Sequence, residues 1–168
     1  MLFEKRNLLE FLEEVDGKLE KKVSVVAVGG TAMTLLDIKK STIDIDFMVA
    51  SGEAEFREAL SSVPHGYRID IFPEGIVFSQ KLPDDYDRKI ILIKEFRNMM
   101  LYALHPIDII VTKIGRLDER DIQDIKDCIR KFGIKKQEIR KRAKLVEYIG
   151  KEENYETNLN FVLKNIIK

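Results

Sequence analysis

Two aspartates, Asp44 and Asp46, are separated by a single isoleucine in a segment that alternates apolar and polar side chains. On a β-strand, residues two apart lie on the same face, roughly 6.5–7 Å from one another. Like charges held this close are unfavourable unless a cation lies between them, and Mg²⁺ prefers oxygen ligands. The spacing therefore indicates a magnesium site, and a solvated polar strand face is the alternative.

A third carboxylate, Asp70, lies in another alternating segment, residues 67–72. If its strand neighbours the strand that carries Asp44 and Asp46, Asp70 can lie about 5 Å from one of those two carboxylates. Three carboxylates on adjacent strands can hold the one or two metal ions used for in-line nucleotidyl displacement, with Asp70 as a metal ligand or general base. The alternative is that Asp70 pairs with Arg68 or faces solvent.

A glycine pair, Gly29-Gly30, follows an apolar β-branched run and is followed by Thr31 and a short helical pattern. Glycine allows a sharp turn and close approach of a ligand, and a helix N-terminus attracts phosphate. The pair therefore suits a triphosphate, although a tight strand-to-helix turn also needs glycine for structural reasons alone.

These motifs together resemble the DNA-polymerase-β-like nucleotidyltransferase superfamily. Its pattern is a hydrophobic residue with Gly-Gly or Gly-Ser, a gap of about a dozen residues, an acidic-hydrophobic-acidic strand and a later strand acid. Residues 105–113 and 116–125 resemble the later motifs of one branch, the AbiEii-type toxins and related small prokaryotic proteins. In that branch, a helix carrying lysine precedes a helix with two aspartates.

The resemblance implies transfer of a nucleoside monophosphate from an NTP to a hydroxyl, with Mg²⁺ bound at one or two positions. The acceptor would be a tRNA end or a protein side chain, and an antitoxin would be a further partner. The metal ligands implied are Asp44, Asp46 and Asp70. The nucleotide-binding residues implied are Gly29, Gly30, Thr31, Thr42 and Lys113. Asp121 would complete the catalytic set, which then comprises Asp44, Asp46, Asp70, Lys113 and Asp121, with Asp124 in support.

Two alternatives remain open. One is a non-catalytic nucleotidyltransferase-like module that binds nucleotide, RNA or a protein partner. The other concerns the tail, where Lys113, Arg116 and Arg120 form a basic edge only if one helix continues through them. Otherwise Asp118 caps a helix, Asp121 favours its first turn and the basic residues are solvated.

The elements that must position these residues follow from hydrophobic periodicity. Strands are expected at 23–28, 41–49 and 67–72, a hairpin at 89–96 and 99–104, and helices at about 7–20, 31–36 and 53–60. After Pro106 the pattern is helical, with an apolar stripe of Ile122, Ile125, Ile129 and Phe132 and further helices at about 136–149 and 153–167. The predicted fold class is α/β (α+β): a short mixed sheet flanked by helices (1–106), with a helical C-terminal region packed on it (107–168).

Composition bounds the location and partners. Lys and Arg balance Asp and Glu, so no global charge indicates a nucleic-acid or membrane surface. The single cysteine suits a reducing compartment, and neither a signal peptide nor an apolar run of about 20 residues is evident. We therefore expect a cytoplasmic protein with no membrane contact. The abundance of Lys, Glu and Ile favours a thermophilic source.

Overall fold

The computed structural model describes residues 2–167, which divide into two compact units. The first unit comprises the residues up to Glu74 together with Ile90–Leu104, and the second comprises Gly75–Lys89 and the residues from His105 onward. The fold is α+β, as predicted from the sequence. Residues 75–89, which the sequence assigned to the 1–106 core, belong to the second unit.

The first unit contains three helices and seven strands within the described residues. The helices are α1 (Lys5–Asp16), α2 (Gly29–Leu35) and α3 (Glu53–Ser62). The strands of the first unit are β1 (Phe3–Glu4), β2 (Val23–Ala27), β3 (Ser41–Thr42), β4 (Ile45–Ser51), β5 (Ile69–Phe72), β8 (Ile91–Glu95) and β9 (Met99–Ala103). Strands β6 (Ile76–Val77) and β7 (Gln80–Lys81) lie between β5 and β8 in the sequence and belong to the second unit.

A five-stranded mixed sheet of order β5-β4-β2-β9-β8 forms the centre of the first unit. Strand β2 runs antiparallel to β4 and parallel to β9, while β4 runs parallel to β5. Consecutive residues of the central strands are fully buried, among them Val25, Val26, Phe47 and Met48. Such continuous burial explains why β2 is apolar at nearly every position. The predicted hairpin is confirmed by the antiparallel pairing of β8 with β9.

The second unit is built on α4 (Pro106–Ile114), whose nine residues are all buried. Around it lie three further helices and a short three-stranded sheet of order β10-β7-β6. The remaining elements are α5 (Glu119–Phe132), α6 (Lys136–Ala143), β10 (Glu147–Tyr148) and α7 (Glu152–Phe161), which continues as a π-helical turn over Val162–Ile166. A 3₁₀ turn covers Tyr86–Arg88.

Two details of the predicted elements were wrong, and one alternative is decided. The strand expected at 41–49 is interrupted after Thr42, and Ile43 is 60% exposed instead of facing the core. The helix expected at 136–149 ends at Ala143, and β10 follows it, so the tail is not all helical. The helix that carries Lys113 ends at Ile114, Leu117 takes a left-handed backbone (φ 52°), and Asp118 caps a new helix. Of the two readings left open for the tail, the one in which Asp118 caps a helix and Asp121 lies in its first turn is therefore confirmed.

The apolar stripe predicted on α5 is also only partly buried. Ile125 is fully buried, but Phe132 is 39% exposed. The face that packs inward instead carries Asp121, Asp124 and Cys128. Buried carboxylates need cationic or hydrogen-bonding partners, and those partners are provided by the preceding residues of the second unit, as described below.

Candidate nucleotidyl-transfer site

The glycine pair lies where β2 gives way to α2, as predicted. Gly29 has a left-handed backbone (φ 55°), which favours glycine. At Gly30, a β-carbon would lie 2.8 Å from the hydroxyl oxygen of Thr42, closer than such atoms pack. The pair is therefore required by the turn and by the approach of β3 to α2, and its contact with nucleotide stays a prediction.

Two buried threonines hold the segment that carries the first two aspartates. The hydroxyls of Thr31 and Thr42 each donate to the carbonyl oxygen of Asp44 at 2.9 Å. The Thr31 hydroxyl also accepts the backbone N–H of Asp46 at 2.9 Å. Because these hydroxyls take the place of a strand partner, the chain leaves the extended ladder between Thr42 and Ile45. Sequence patterns placed both threonines near the nucleotide, and the structure adds this positioning role.

The three carboxylates lie at one edge of the central sheet. Asp44 is exposed and immediately precedes β4, while Asp46 lies within β4 and is 5% exposed. Asp46 and Asp70 are direct partners in the parallel pairing of β4 with β5, as the sequence predicted for neighbouring strands. Side chains at paired positions project from the same face of a sheet, and the strands lie about 4.8 Å apart.

Arg68 lies beside all three carboxylates. Its Nε donates to Asp70 Oδ1 at 2.8 Å, with both side chains accessible to solvent. The hydrogen bond to Asp70 raises the pKa of Arg68, and the negative charges of Asp46 and Asp44 raise it further. One guanidinium thus lies within electrostatic reach of the whole acidic set. The pairing of Asp70 with Arg68 was the alternative left open by the sequence, and it coexists with the alignment of Asp70 and Asp46.

The later candidates, Lys113 and Asp121, contact one another in the second unit. Lys113 on α4 is 4% exposed, and its Nζ lies 3.3 Å from Asp121 and 2.9 Å from Asp124. Arg116 makes a two-point contact with Asp121, from Nε and Nη2, each at 2.7 Å. Two helices are therefore joined by a buried ionic network.

Asp121 is also the third helical residue of α5 and completes its cap. Its backbone N–H donates to the Asp118 carboxylate, and its own carboxylate accepts the backbone N–H of Asp118, a reciprocal capping box. Burial acts to raise the pKa of Asp121, but the hydrogen bond from Arg116 and the charge of Lys113 outweigh it and hold the pKa below its usual value. The catalytic roles of Lys113 and Asp121 stay predictions, since both side chains already have structural partners.

Comparison with protein families assigns the general kind of protein. A family model described as a nucleotidyltransferase of unknown function matches residues 6–164, nearly the whole chain. The chain belongs to this family, DUF6036. No curated protein and no solved structure matches it. The family supports nucleotidyl transfer as the general kind of activity of the chain.

Asp44, Asp46 and Asp70 form the acidic edge of this DUF6036 chain, and their chemistry suits a metal ion. The three carboxylates offer the hard oxygen ligands that Mg²⁺ takes, and two of them are in register on adjacent strands. Among residues 2–167, however, no group of three or more His, Cys, Asp and Glu side chains is already arranged to hold a metal. These carboxylate ligands fit the ion chemically. For all three to bind one metal ion, Asp70 would have to release its ion pair with Arg68.

One further property concerns membranes. Within the described part of this DUF6036 chain, none of the helices combines the length and apolar character needed to cross a bilayer.

Proposed function

We propose that this chain is a Mg²⁺-dependent nucleotidyltransferase of the DNA-polymerase-β-like type, related to the AbiEii-type branch, and that Asp44, Asp46 and Asp70 hold the metal. The observation that carries the proposal is the register of Asp46 with Asp70 on parallel neighbouring strands. The alternative, a solvated polar strand face, would explain a single aspartate. It does not explain why Asp46 and Asp70 are aligned on neighbouring strands, next to the turn that Thr31 and Thr42 hold. In water such an alignment of like charges is unfavourable.

The chemistry follows from these groups. The acceptor oxygen forms a bond to the α-phosphorus of an NTP as the bond to the bridging oxygen breaks, and pyrophosphate leaves. Asp70 accepts the proton of the acceptor hydroxyl, while Asp44 and Asp46 are oriented by Thr31 and Thr42. Mg²⁺ bound by these carboxylates would neutralise the charge of the triphosphate and activate the acceptor hydroxyl.

Arg68 has two uses in this scheme. In the absence of metal it neutralises Asp70. If Asp44, Asp46 and Asp70 held Mg²⁺, the Arg68 guanidinium, which is 85% exposed, would be released to bind a phosphate of the NTP. Arginine suits this because its planar donors match phosphate oxygens.

The test is incubation of the protein with labelled NTPs and Mg²⁺, with total RNA and total protein offered as acceptors. We expect label to appear in one acceptor pool and to be lost in Asp44→Ala and Asp46→Ala. Asp84→Ala is the matched control, since Asp84 is an exposed aspartate of the other unit. Label that persists in both site variants would exclude this site as its source. A toxin role further requires that transfer arrests growth and that an antitoxin relieves it.

A second candidate is a non-catalytic module that binds nucleotide. The Arg68–Asp70 ion pair favours it, because an arginine that stays on Asp70 leaves one carboxylate unavailable to metal. Calorimetric titration of NTP with and without Mg²⁺ separates the two functions. Binding of equal strength in EDTA and in Mg²⁺ supports the module, and binding that needs Mg²⁺ supports the enzyme.

A further inference from the structure

Positive charge is concentrated in one short stretch of a chain whose net charge is zero. Residues 126–144, here called the basic segment, contain nine of the 29 Lys and Arg residues but only two of the 29 Asp and Glu residues. The basic segment therefore carries a formal charge of +7, and the rest of the chain is acidic by the same amount. The balanced total conceals this local asymmetry.

The structure places this charge on the surface of the last turns of α5 and along α6. The exposed basic residues are Lys126, Arg130, Lys131, Lys135, Arg140, Lys141 and Lys144. Arg130 pairs with Asp127 on its own helix. Among residues 2–167, no carboxylate lies within 4.0 Å of the charged groups of Lys131, Arg140 or Lys144. These cations are available to an anionic partner.

The apolar side of α6 is already used inside the second unit. Ile139 is fully buried and Ala143 is 4% exposed, so α6 has no free apolar face. Helices that lie on a membrane surface insert such a face between the lipids. A basic helix without one fits a soluble polyanion better than a bilayer.

A cavity of about 360 Å³ opens at the end of this surface. Its lining includes apolar, basic and acidic side chains: Ile107, Ile134, Leu145, Lys89, Lys141 and Glu138. His105 also lines it, and its Nδ1 accepts the backbone N–H of Ile107 at 3.0 Å, so its Nε2 carries a proton to donate. Burial lowers the pKa of His105, which keeps the ring neutral near pH 7.

The ring of Phe132 lies edge-on to His105, with centroids 6.3 Å apart. The apolar side chains of the cavity and one neutral donor suit a flat heteroaromatic base, while the surrounding lysines suit phosphates. An acidic peptide would also satisfy the lysines, but it does not pair each negative charge with a flat ring that carries hydrogen-bond acceptors.

We infer that the basic segment and this cavity bind a single-stranded nucleic acid, with phosphates on α5 and α6 and one base in the cavity. Binding is a property of the second unit and does not depend on catalysis. Its consequence for the enzyme, that the hydroxyl acceptor is a nucleic acid and not a protein, rests on the proposed function.

The test measures binding of labelled single-stranded RNA by fluorescence anisotropy, in EDTA and without NTP, between about 50 and about 200 mM salt. The test variant is Arg140→Gln with Lys144→Gln. The control is Lys18→Gln with Lys21→Gln, which removes the same charge from exposed positions of the first unit. Each lost phosphate contact lowers the slope of log affinity against log salt by about 0.7. We expect a slope smaller by about 1.4 and roughly tenfold weaker binding at about 150 mM salt, with the control unchanged.

Three outcomes would overturn the inference: no RNA binding by the unaltered protein at about 50 mM salt, equal weakening in test and control variants, or equal affinity for RNA and for inorganic polyphosphate of the same charge. Tighter binding to anionic lipid vesicles than to RNA would assign the surface to a membrane instead. Because EDTA removes any metal, loss of RNA binding here leaves the proposal for Asp44 and Asp46 untouched.

Discussion

The two units use aspartates in opposite ways. In the second unit, Asp121 and Asp124 are buried against Lys113, so that the network carries its own cations within the fold. In the first unit, Asp44 is exposed, and Asp70 is accessible and pairs with an exposed arginine, Arg68. A carboxylate cluster that is closed and internally neutralised holds helices together, whereas one that is open to solvent can accept an external ion. The same residue type therefore predicts different consequences of substitution.

The largest expected effect is on nucleotidyl transfer by the solvent-accessible cluster of Asp44, Asp46 and Asp70, here called the open cluster. Asp44→Asn should lower the rate of nucleotidyl transfer about 10³-fold, because a metal ligand supplies several kcal/mol of transition-state stabilisation. Since the Asp44 side chain is exposed, the free energy of unfolding should stay within about 0.5 kcal/mol of the original. Radiolabel transfer and urea unfolding measure the two. A variant that loses stability and activity together would remove the distinction between the clusters.

The buried cluster of Asp121, Asp124 and Lys113, here called the closed cluster, should affect stability when it is altered. Asp121→Asn leaves Arg116 and Lys113 without their shared carboxylate, and breaking a buried pair costs about 3 kcal/mol or more. Asp127→Asn on the same helix removes a surface ion pair with Arg130 and alters a hydrogen bond from Gln123, and should cost less than about 1 kcal/mol. Urea unfolding of the two variants checks this. Equal losses would mean that burial of the network adds nothing.

Acid should reproduce the Asp121 effect in the unaltered protein. Its pKa is lower in the folded protein than in the unfolded chain, so its contribution is fully present above the unfolded value of about 3.9 and is lost as the pH falls through the folded value. Between pH 7 and about pH 3, the unaltered protein should therefore lose more unfolding free energy than Asp121→Asn does.

A smaller effect on stability and transfer rate is expected at Thr31, which positions Asp44 and Asp46 of the open cluster. Thr31→Val leaves the buried N–H of Asp46 without its acceptor, at a cost of about 1–3 kcal/mol. Thr31→Ser keeps the hydroxyl and is the matched control. We expect Val, but not Ser, to lower both unfolding free energy and transfer rate. If Thr31→Val retains the stability and the transfer rate of Thr31→Ser, the Thr31 hydroxyl does not position Asp46.

A stability effect of similar size, with no direct effect on the carboxylates, is expected at the glycine turn. Gly30→Ala introduces a β-carbon 2.8 Å from the Thr42 hydroxyl and should cost about 1–3 kcal/mol of stability, the usual cost of overpacking. Gly66→Ala meets nothing within 4 Å and should be neutral or slightly stabilising. Thermal unfolding compares them, and a stable Gly30→Ala would show that β3 yields at little cost.

Local patterns were sufficient for most of the elements, because strand and helix periodicity are encoded over a few residues. The sequence left open whether the strand of Asp70 pairs with that of Asp46, because strand pairing depends on contacts between distant parts of the chain. They failed where a side chain bonds the backbone. Nothing in the alternation of residues 41–49 signals that two threonine hydroxyls both bind the carbonyl of Asp44 and interrupt the strand.

Burial of charge was the other failure. The stripe of isoleucines on α5 suggested the buried face, yet Asp121 and Asp124 take that face because their cations come from α4 and the loop after it. One signal was available: Asp108 lies in the mostly apolar first half of α4, where a buried charge needs a partner. Arg142 is that partner and contacts both Asp108 oxygens, at 2.6 and 2.9 Å.

The most direct test of the acidic edge is Mn²⁺ binding followed by electron paramagnetic resonance, with Mn²⁺ in place of Mg²⁺. We predict that the unaltered protein and Asp84→Asn bind the ion with the same affinity, and that Asp44→Asn and Asp70→Asn each weaken binding at least about tenfold, or about 1.4 kcal/mol. Identical titrations for all four proteins would contradict the assignment of Asp44, Asp46 and Asp70 as metal ligands.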